Sequence, residues 1–175
     1  METATLAGGC FWCTEAVFKN LKGVISVMPG YTGGHVPSPT YEQVCAGTTG
    51  HAEATRIEFD PAIIPFEQLL DVFFATHDPT TVNRQGDDVG QQYRSAIFYH
   101  DEQQRKIAEQ IMAQLTKERL FNSPIVTQIV PSTDFFPAED YHRDYFANNP
   151  AQPYCQTIIN PKIAKLRHKF ASYLK

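Results

Sequence analysis

The 175-residue sequence has no apolar run approaching the roughly 18–20 residues a membrane span needs, which argues against a membrane protein. It also has no long run of one charge. Fifteen Lys and Arg stand against nineteen Asp and Glu, for a formal net charge of −4. That balance excludes a strongly basic nucleic-acid surface or a polybasic membrane anchor. Cysteine is scarce, with four residues at 10, 13, 45 and 155, so the chain is not a disulfide scaffold. Internal repeats, low-complexity tracts, phosphate-binding glycine motifs and dinucleotide fingerprints are all missing. Met1 to Thr5 lacks the positive and apolar stretches of a secretory signal, so a cytoplasmic location is expected. What remains is ordinary globular usage, 42% hydrophobic and 12% aromatic, enough for one domain over residues 1–175.

Apolar periodicity alternates strands and helices. Thr5-Leu6-Ala7 is a short strand ending at Gly8-Gly9, and a helix is predicted from about Cys10 to Lys22. Val24 to Met28 is a strand with Pro29-Gly30 as its stop, and Gly30 to His35 reads as a loop on a pocket rim. In Ala54 to Phe59, Ile57 and Phe59 share one face while Arg56 and Glu58 share the other. Pro65 opens a helix carrying Phe66, Leu69, Leu70, Phe73 and Phe74. Ser95 to Tyr99 and Ile125 to Val130 are strands. Asp101 and Gln104 resemble a capping box for a helix through Ile107, Ile111 and Leu115. A last helix starts at Asn160-Pro161. Interleaved strands and helices predict an α+β fold, a two-layer α/β sandwich.

Gly8-Gly9-Cys10-Phe11-Trp12-Cys13 carries the most chemistry. A strand, two glycines and a cysteine at a helix start put a thiol where free N–H groups and the helix dipole favour an anion, which lowers a cysteine pKa. Cys10 is therefore either a nucleophile or a small buried apolar residue. With Cys13 it also makes a C-x-x-C pair, which fits a thiol–disulfide exchanger or half of a zinc site. Two further ligands at zinc-finger spacing are not found, so no metal is assigned. Phe11 and Trp12 suit either the wall of an apolar substrate pocket or plain core. Glu53 sits at a strand edge, where burial would make it a general acid and solvation would leave it an ordinary charge. His51 is a possible base or a hydrogen-bonded structural group. Asp87-Asp88 and Tyr93 lie in a polar, glycine-containing loop suited to an uncharged polar ligand. These residues point to cysteine chemistry on a small neutral ligand, against a non-enzymatic binder using the same aromatic pocket.

Gly9-Cys10-Phe11-Trp12 with Glu15 and Phe18 resembles the peptide methionine sulfoxide reductases of the A type. The likeness continues through Gly30-Tyr31-Thr32-Gly33-Gly34, Tyr41 to Val44, Thr49 to Glu53, His77 to Thr80, Arg84-Gln85-Gly86, Gln92 to Ser95, Ala138 to His142 and Tyr154-Cys155. It implies that Cys10 attacks the sulfoxide sulfur, Glu53 protonates the oxygen, and Tyr41 and Tyr93 hydrogen-bond that oxygen. It further implies that Phe11 and Trp12 hold the S-methyl group and that Asp88 binds the main-chain side of the substrate. Methionine S-sulfoxide, in oxidised proteins or free, is the implied substrate, with protein repair as the outcome. Cys10 is left as a sulfenic acid, a resolving thiol makes a disulfide, and thioredoxin reduces it, with no cofactor and a monomeric chain. The implied fold is ferredoxin-like with a long irregular C-terminal tail, residues 147–175, ending in a helix. Relatives often carry two resolving cysteines in a glycine-rich tail, whereas this tail offers Cys155 alone. Cys155, in a proline-interrupted loop able to swing, is the preferred resolver. Cys13 is the alternative, because a helix would turn it away from Cys10. Cys45 is expected to be buried. Phe74 stands where relatives often have Trp, a change of packing.

Overall fold

The structure is a computed structural model describing residues 1–175. In chain order the elements are β1 (Glu2–Ala7), α1 (Phe11–Phe18), β2 (Val24–Thr32), α2 (Tyr41–Cys45), β3 (Ala52–Phe59) and α3 (Phe66–Thr76). There follow β4 (Arg84–Gln85), β5 (Asp88–Val89), β6 (Ala96–Tyr99), α4 (Glu102–Lys117), β7 (Gln128–Pro131), β8 (Phe135–Pro137), α5 (Tyr145–Asn148) and α6 (Asn160–Lys169). Six strands form one sheet in the order β7-β6-β1-β3-β2-β8, antiparallel except for the β6–β7 pair. β4 and β5 form a separate small hairpin.

Strand alternation sorts the core. Leu6, Ile57, Phe59 and Ile97 join the cluster that contains the buried faces of α1, α3, α4 and α6. Ala7, Ala52, Ala54, Ala96 and Phe98 face the other way and form a small second cluster with Val130 and Phe135. The result is the two-layer α/β arrangement, with helices on one face of the sheet. Pro65 caps α3, and Phe66, Leu69, Leu70, Phe73 and Phe74 are all buried as predicted. Asp101 caps α4 by accepting from the Gln104 N–H, but the Gln104 side chain accepts from His100 rather than from the cap residue.

Several boundaries differ from expectation. β2 does not stop at Pro29-Gly30. The Pro29 carbonyl accepts from Ala138 N–H, so the N–H that proline lacks faces the point where β8 ends, and no ladder bond is lost there. Gly30, Tyr31 and Thr32 are thus strand residues between β3 and β8, not a rim loop. α1 ends at Phe18, because Leu21 turns away to bridge Leu174 near the other end of the chain. The final helix begins earlier than Asn160. A π-helical turn over Cys155–Ile159 runs directly into α6. Cys155 is therefore part of a helix and fully buried, not in a mobile loop.

Candidate active site

β1 delivers the chain to a turn at Gly9, whose φ is +89°. A Cβ at Gly9 would lie 2.7 Å from Gln85 Cγ, so both backbone conformation and the close approach of β4 demand glycine. The next residue, Cys10, is the N-cap of α1 and only 7% exposed.

The free N–H groups of this helix start are divided among partners. Phe11 N–H donates to Glu53 Oε1 at 3.2 Å, Cys13 N–H donates to the Cys10 carbonyl at 3.0 Å, and Trp12 N–H favours the Cys10 thiolate. One amide does not outweigh burial. Burial pushes the Cys10 thiol well up, and the neighbouring Cys13 thiol and Glu53 carboxyl add to the rise. The expectation of a lowered Cys10 is thus corrected. The lowered thiol is Cys13, brought to about 7 chiefly by hydrogen bonding from Cys10 against the cost of burial.

Cys13 also corrects its expected direction. An N-cap residue is not helical, and its side chain folds back over the second and third helical residues. Cys13 is the third, so the two thiols are near enough at the helix start for each to shift the other's ionisation. A single negative charge therefore serves both sulfurs. Cys155 is buried near Cys13, whose charge, after burial, raises it. Cys45 is exposed on α2, not buried as expected.

Glu53 shares strand parity with Ile57 and Phe59, which turns it into the helical layer beneath the start of α1. It is 1% exposed. Burial raises its carboxyl to about 8, with Phe11 N–H opposing and the Asp88 charge adding. Oε1 takes the Phe11 N–H, while Oε2 is buried without a hydrogen-bond partner. A neutral carboxylic acid with one unengaged oxygen beside a thiol pair is a proton donor in position. His51, by contrast, accepts from Gly34 N–H at Nδ1 and lies 2.6 Å from the Val36 carbonyl at Nε2, so it braces a loop.

Tyr41 opens α2 after a capping box at Thr40, and Tyr93 ends a 3-10 turn over Gln91–Tyr93. Both hydroxyls are half-buried, and their pKa values are raised by burial first and by the Glu53 charge next. Phe11 is fully buried, with ring centroids 5.7 Å from Tyr31, 6.4 Å from Tyr41 and 5.0 Å from His142. Trp12 is partly exposed. Its indole stacks on Tyr145 at 3.8 Å and 7°, and its Nε1 donates to His142 Nδ1 at 2.9 Å. Asp88, on β5, accepts from the Tyr154 hydroxyl at 2.8 Å, and that hydroxyl is also 3.5 Å from Cys13 Sγ. A cavity of about 580 Å³ joins Cys10, Cys13, Asp88, Tyr154 and Lys162, whereas Phe11 and Trp12 are not on its wall.

Several residues around this site carried no role in the sequence. Glu139 accepts from the Tyr31 hydroxyl at 2.8 Å and from Tyr41 N–H at 3.0 Å; burial opposes its charge, but these donors hold it below the usual carboxylate range. His142 is fully buried and orients Trp12. Glu15 is 3% exposed and raised to about 7 by burial. Their signal in the sequence was membership of the segments that carry the resemblance, Glu15 beside Gly9-Cys10-Phe11-Trp12 and Glu139 and His142 within Ala138 to His142.

The family model described as peptide methionine sulfoxide reductase matches residues 2–174. A Thermus thermophilus protein named peptide methionine sulfoxide reductase MsrA is 59% identical over 174 residues, covering 99% of this chain and 98% of that protein. Among solved structures, the reduced form of Mxr1 from Saccharomyces cerevisiae has a TM-score of 0.83 at 37% identity, covering 90% of each chain. The same yeast protein in complex with Trx2 has a TM-score of 0.58 at 26% identity, over 82% of this chain and 84% of that one.

Proposed function

The chain belongs to the peptide methionine sulfoxide reductase family as an MsrA-type oxidoreductase that reduces methionine sulfoxide, and on that premise we propose how its own residues do so. The observation that carries the proposal is Glu53, buried and protonated to about pH 8, with Oε2 unengaged next to the Cys10–Cys13 pair.

In the resting site Cys13 holds the shared negative charge and Cys10 keeps its proton. As the Cys10 sulfur attacks the sulfoxide sulfur, Cys13 takes that proton and Glu53 gives its own to the sulfoxide oxygen. Tyr41 and Tyr93 donate to the same oxygen as charge develops on it. The protonated oxygen then passes from the substrate sulfur to the Cys10 sulfur: the substrate S–O bond and the transient bond between the two sulfurs break, a Cys10 S–O bond forms, methionine leaves reduced by two electrons, and Cys10 becomes a sulfenic acid, oxidised by two. A resolving thiol then attacks Cys10. The S–S bond forms, the S–O bond breaks, and the oxygen leaves as water with the proton of that thiol.

Proximity favours Cys13 as the first resolver, since it stands three residues from Cys10 at the same helix start, with the two thiols acting on each other's ionisation. Cys155 then acts as a second thiol, reached by loosening the π-helical turn, a helix form prone to local rearrangement. Phe11 and Trp12 supply the apolar side for the S-methyl group, with Trp12 becoming accessible as Tyr145 moves. Asp88 binds the main-chain side of the substrate once Tyr154 lets go of it. An asymmetric pocket of this kind selects one epimer, the S-sulfoxide, in oxidised proteins or free. Thioredoxin is the proposed reductant, supported by the yeast relative solved with Trx2. Repair of oxidised proteins is the role that follows.

The test is a single turnover on a methyl sulfoxide without reductant, followed by peptide mapping. One equivalent of methionine and a Cys10–Cys13 disulfide are expected, and Cys10→Ser should abolish product. A Cys10–Cys155 bond in a mixture free of Cys10–Cys13 would move the resolver to Cys155. Full activity in Cys10→Ser would overturn the whole scheme.

A further inference from the structure

We propose that Lys162, on α6, is the positioning cation that holds negative charge on Cys13 and so keeps the Cys10–Cys13 pair ready to react. This rests on the mechanism above, which asks Cys13 to hold the charge at rest and to attack Cys10 afterwards.

Lys162 shares two cavities with Cys13. One is the 580 Å³ pocket that also exposes Cys10 and Asp88, and the other is a narrow crevice between Gly8, Thr14, His77 and Cys13. The side chain is partly buried, and its ammonium is engaged by no carboxylate. The ion pairs of the protein are Lys19–Asp144, Arg105 with Glu102 and Glu109, and Arg143–Asp140. An ammonium engaged by no carboxylate is available to an anion that forms in a cavity it shares.

The groups facing Cys13 come from every side. Cys10 lies on the preceding turn, Glu53 on β3, His77 after α3, Asp88 on β5, and Tyr154 and Cys155 at the start of the C-terminal helix. His77 is lowered to about 4 by burial and is neutral, and Glu53 is neutral below about 8. Asp88 is a carboxylate that opposes a second negative charge. Lys162 is then the one cation among these neighbours, and its charge acts to lower Cys13 where that of Asp88 raises it. α6 thus brings to the site a charge that neither C-x-x-C itself nor the strand–glycine turn provides.

The experiment compares wild type, Lys162→Met and Lys162→Arg by alkylation of the reduced protein across pH 5–10, with the Cys13 peptide quantified by mass spectrometry. Lys162→Met should move the Cys13 midpoint up by about 0.5–1 pH unit, a roughly three- to tenfold slower alkylation at pH 6.5, as expected for loss of a unit charge across a partly screened gap. Lys162→Arg should restore the wild-type midpoint. The first-turnover rate should show the same upward move of its acid limb, with the alkaline limb unmoved. An unchanged Cys13 midpoint in Lys162→Met overturns the proposal, as does a uniform rate loss at all pH values, which would mark Lys162 as merely structural. A higher KM with an unmoved midpoint would also overturn it, making the residue a substrate contact. Because alkylation needs no sulfoxide, failure of the catalytic scheme would show separately, as wild type making no methionine.

Discussion

Glu53 and the Cys10–Cys13 pair sit in one buried pocket, and burial drives both toward their neutral forms. The pair escapes because two sulfurs share one charge, whereas the Phe11 amide and the Cys10 thiol favour the ionised form of Glu53 too weakly to offset its burial. In the proposed scheme the sulfoxide step therefore needs Cys13 ionised, above about 7, and Glu53 protonated, below about 8. The single-turnover rate should follow a narrow bell between those values. Glu53→Gln keeps the hydrogen bond from Phe11 but has no proton to give, so it should lose the alkaline limb and about 10²-fold or more in rate. Persistence of that limb would assign it to another group. Linkage gives an independent readout. A carboxyl whose folded pKa is raised to about 8 makes the native state less stable as pH rises from about 4.5 to 8. Glu53→Gln should then melt above wild type at pH 8.5 and together with it near pH 4.5.

At the scale of elements, the turn between β1 and α1 fixes where the thiol stands. Gly9 and Gly86 both have positive φ, +89° and +58°, but a Cβ at Gly86 would meet nothing within 4 Å. Replacing either with Ala strains the backbone by about 1 kcal/mol. Gly9→Ala must in addition push Gln85 away, so it should destabilise more, by about 2–3 kcal/mol in chemical denaturation, and should displace Cys10 enough to slow sulfoxide reduction. Equal effects at the two glycines would show that the Gln85 approach is soft. The elements legible in the sequence are those whose signal is local. The five apolar residues of α3 recur at helical spacing, Asp101 stops one segment and starts the next, and the alternation of Ile57 and Phe59 extends back to Glu53. Less legible were elements set by distant partners. β2 continues past Pro29-Gly30 because β3 pairs with it on one side and β8, more than a hundred residues later, lies alongside it on the other. The Cys13 thiol turns toward Cys10 because Cys10 is a cap, and a boundary of one residue decides that.

The whole molecule closes the site with its two ends. α6 packs on α1 and α3, and Leu21 pairs with Leu174. The Tyr154 hydroxyl reaches both Asp88 and Cys13 across separations of 66 and 141 residues. Contacts of that span leave no periodic trace in a sequence, which is why Glu139, His142 and Tyr154 stand there as matched residues without roles, and Lys162 goes unremarked. One of them has an optical consequence. Trp12 is the only tryptophan in the chain, and it lies two residues from Cys10 with Tyr145 on its face, Tyr154 at its edge and His142 on its nitrogen. Excited at 295 nm, the protein should emit from the active site and nowhere else. If the C-terminal segment loosens when the disulfide forms, the stacked indole loses its neighbours and its emission should change in intensity and wavelength with each redox half-cycle. Stopped-flow fluorescence would then time the opening and closing of the site without any label, and an emission that stays constant through a full cycle would show that the tail never leaves the indole.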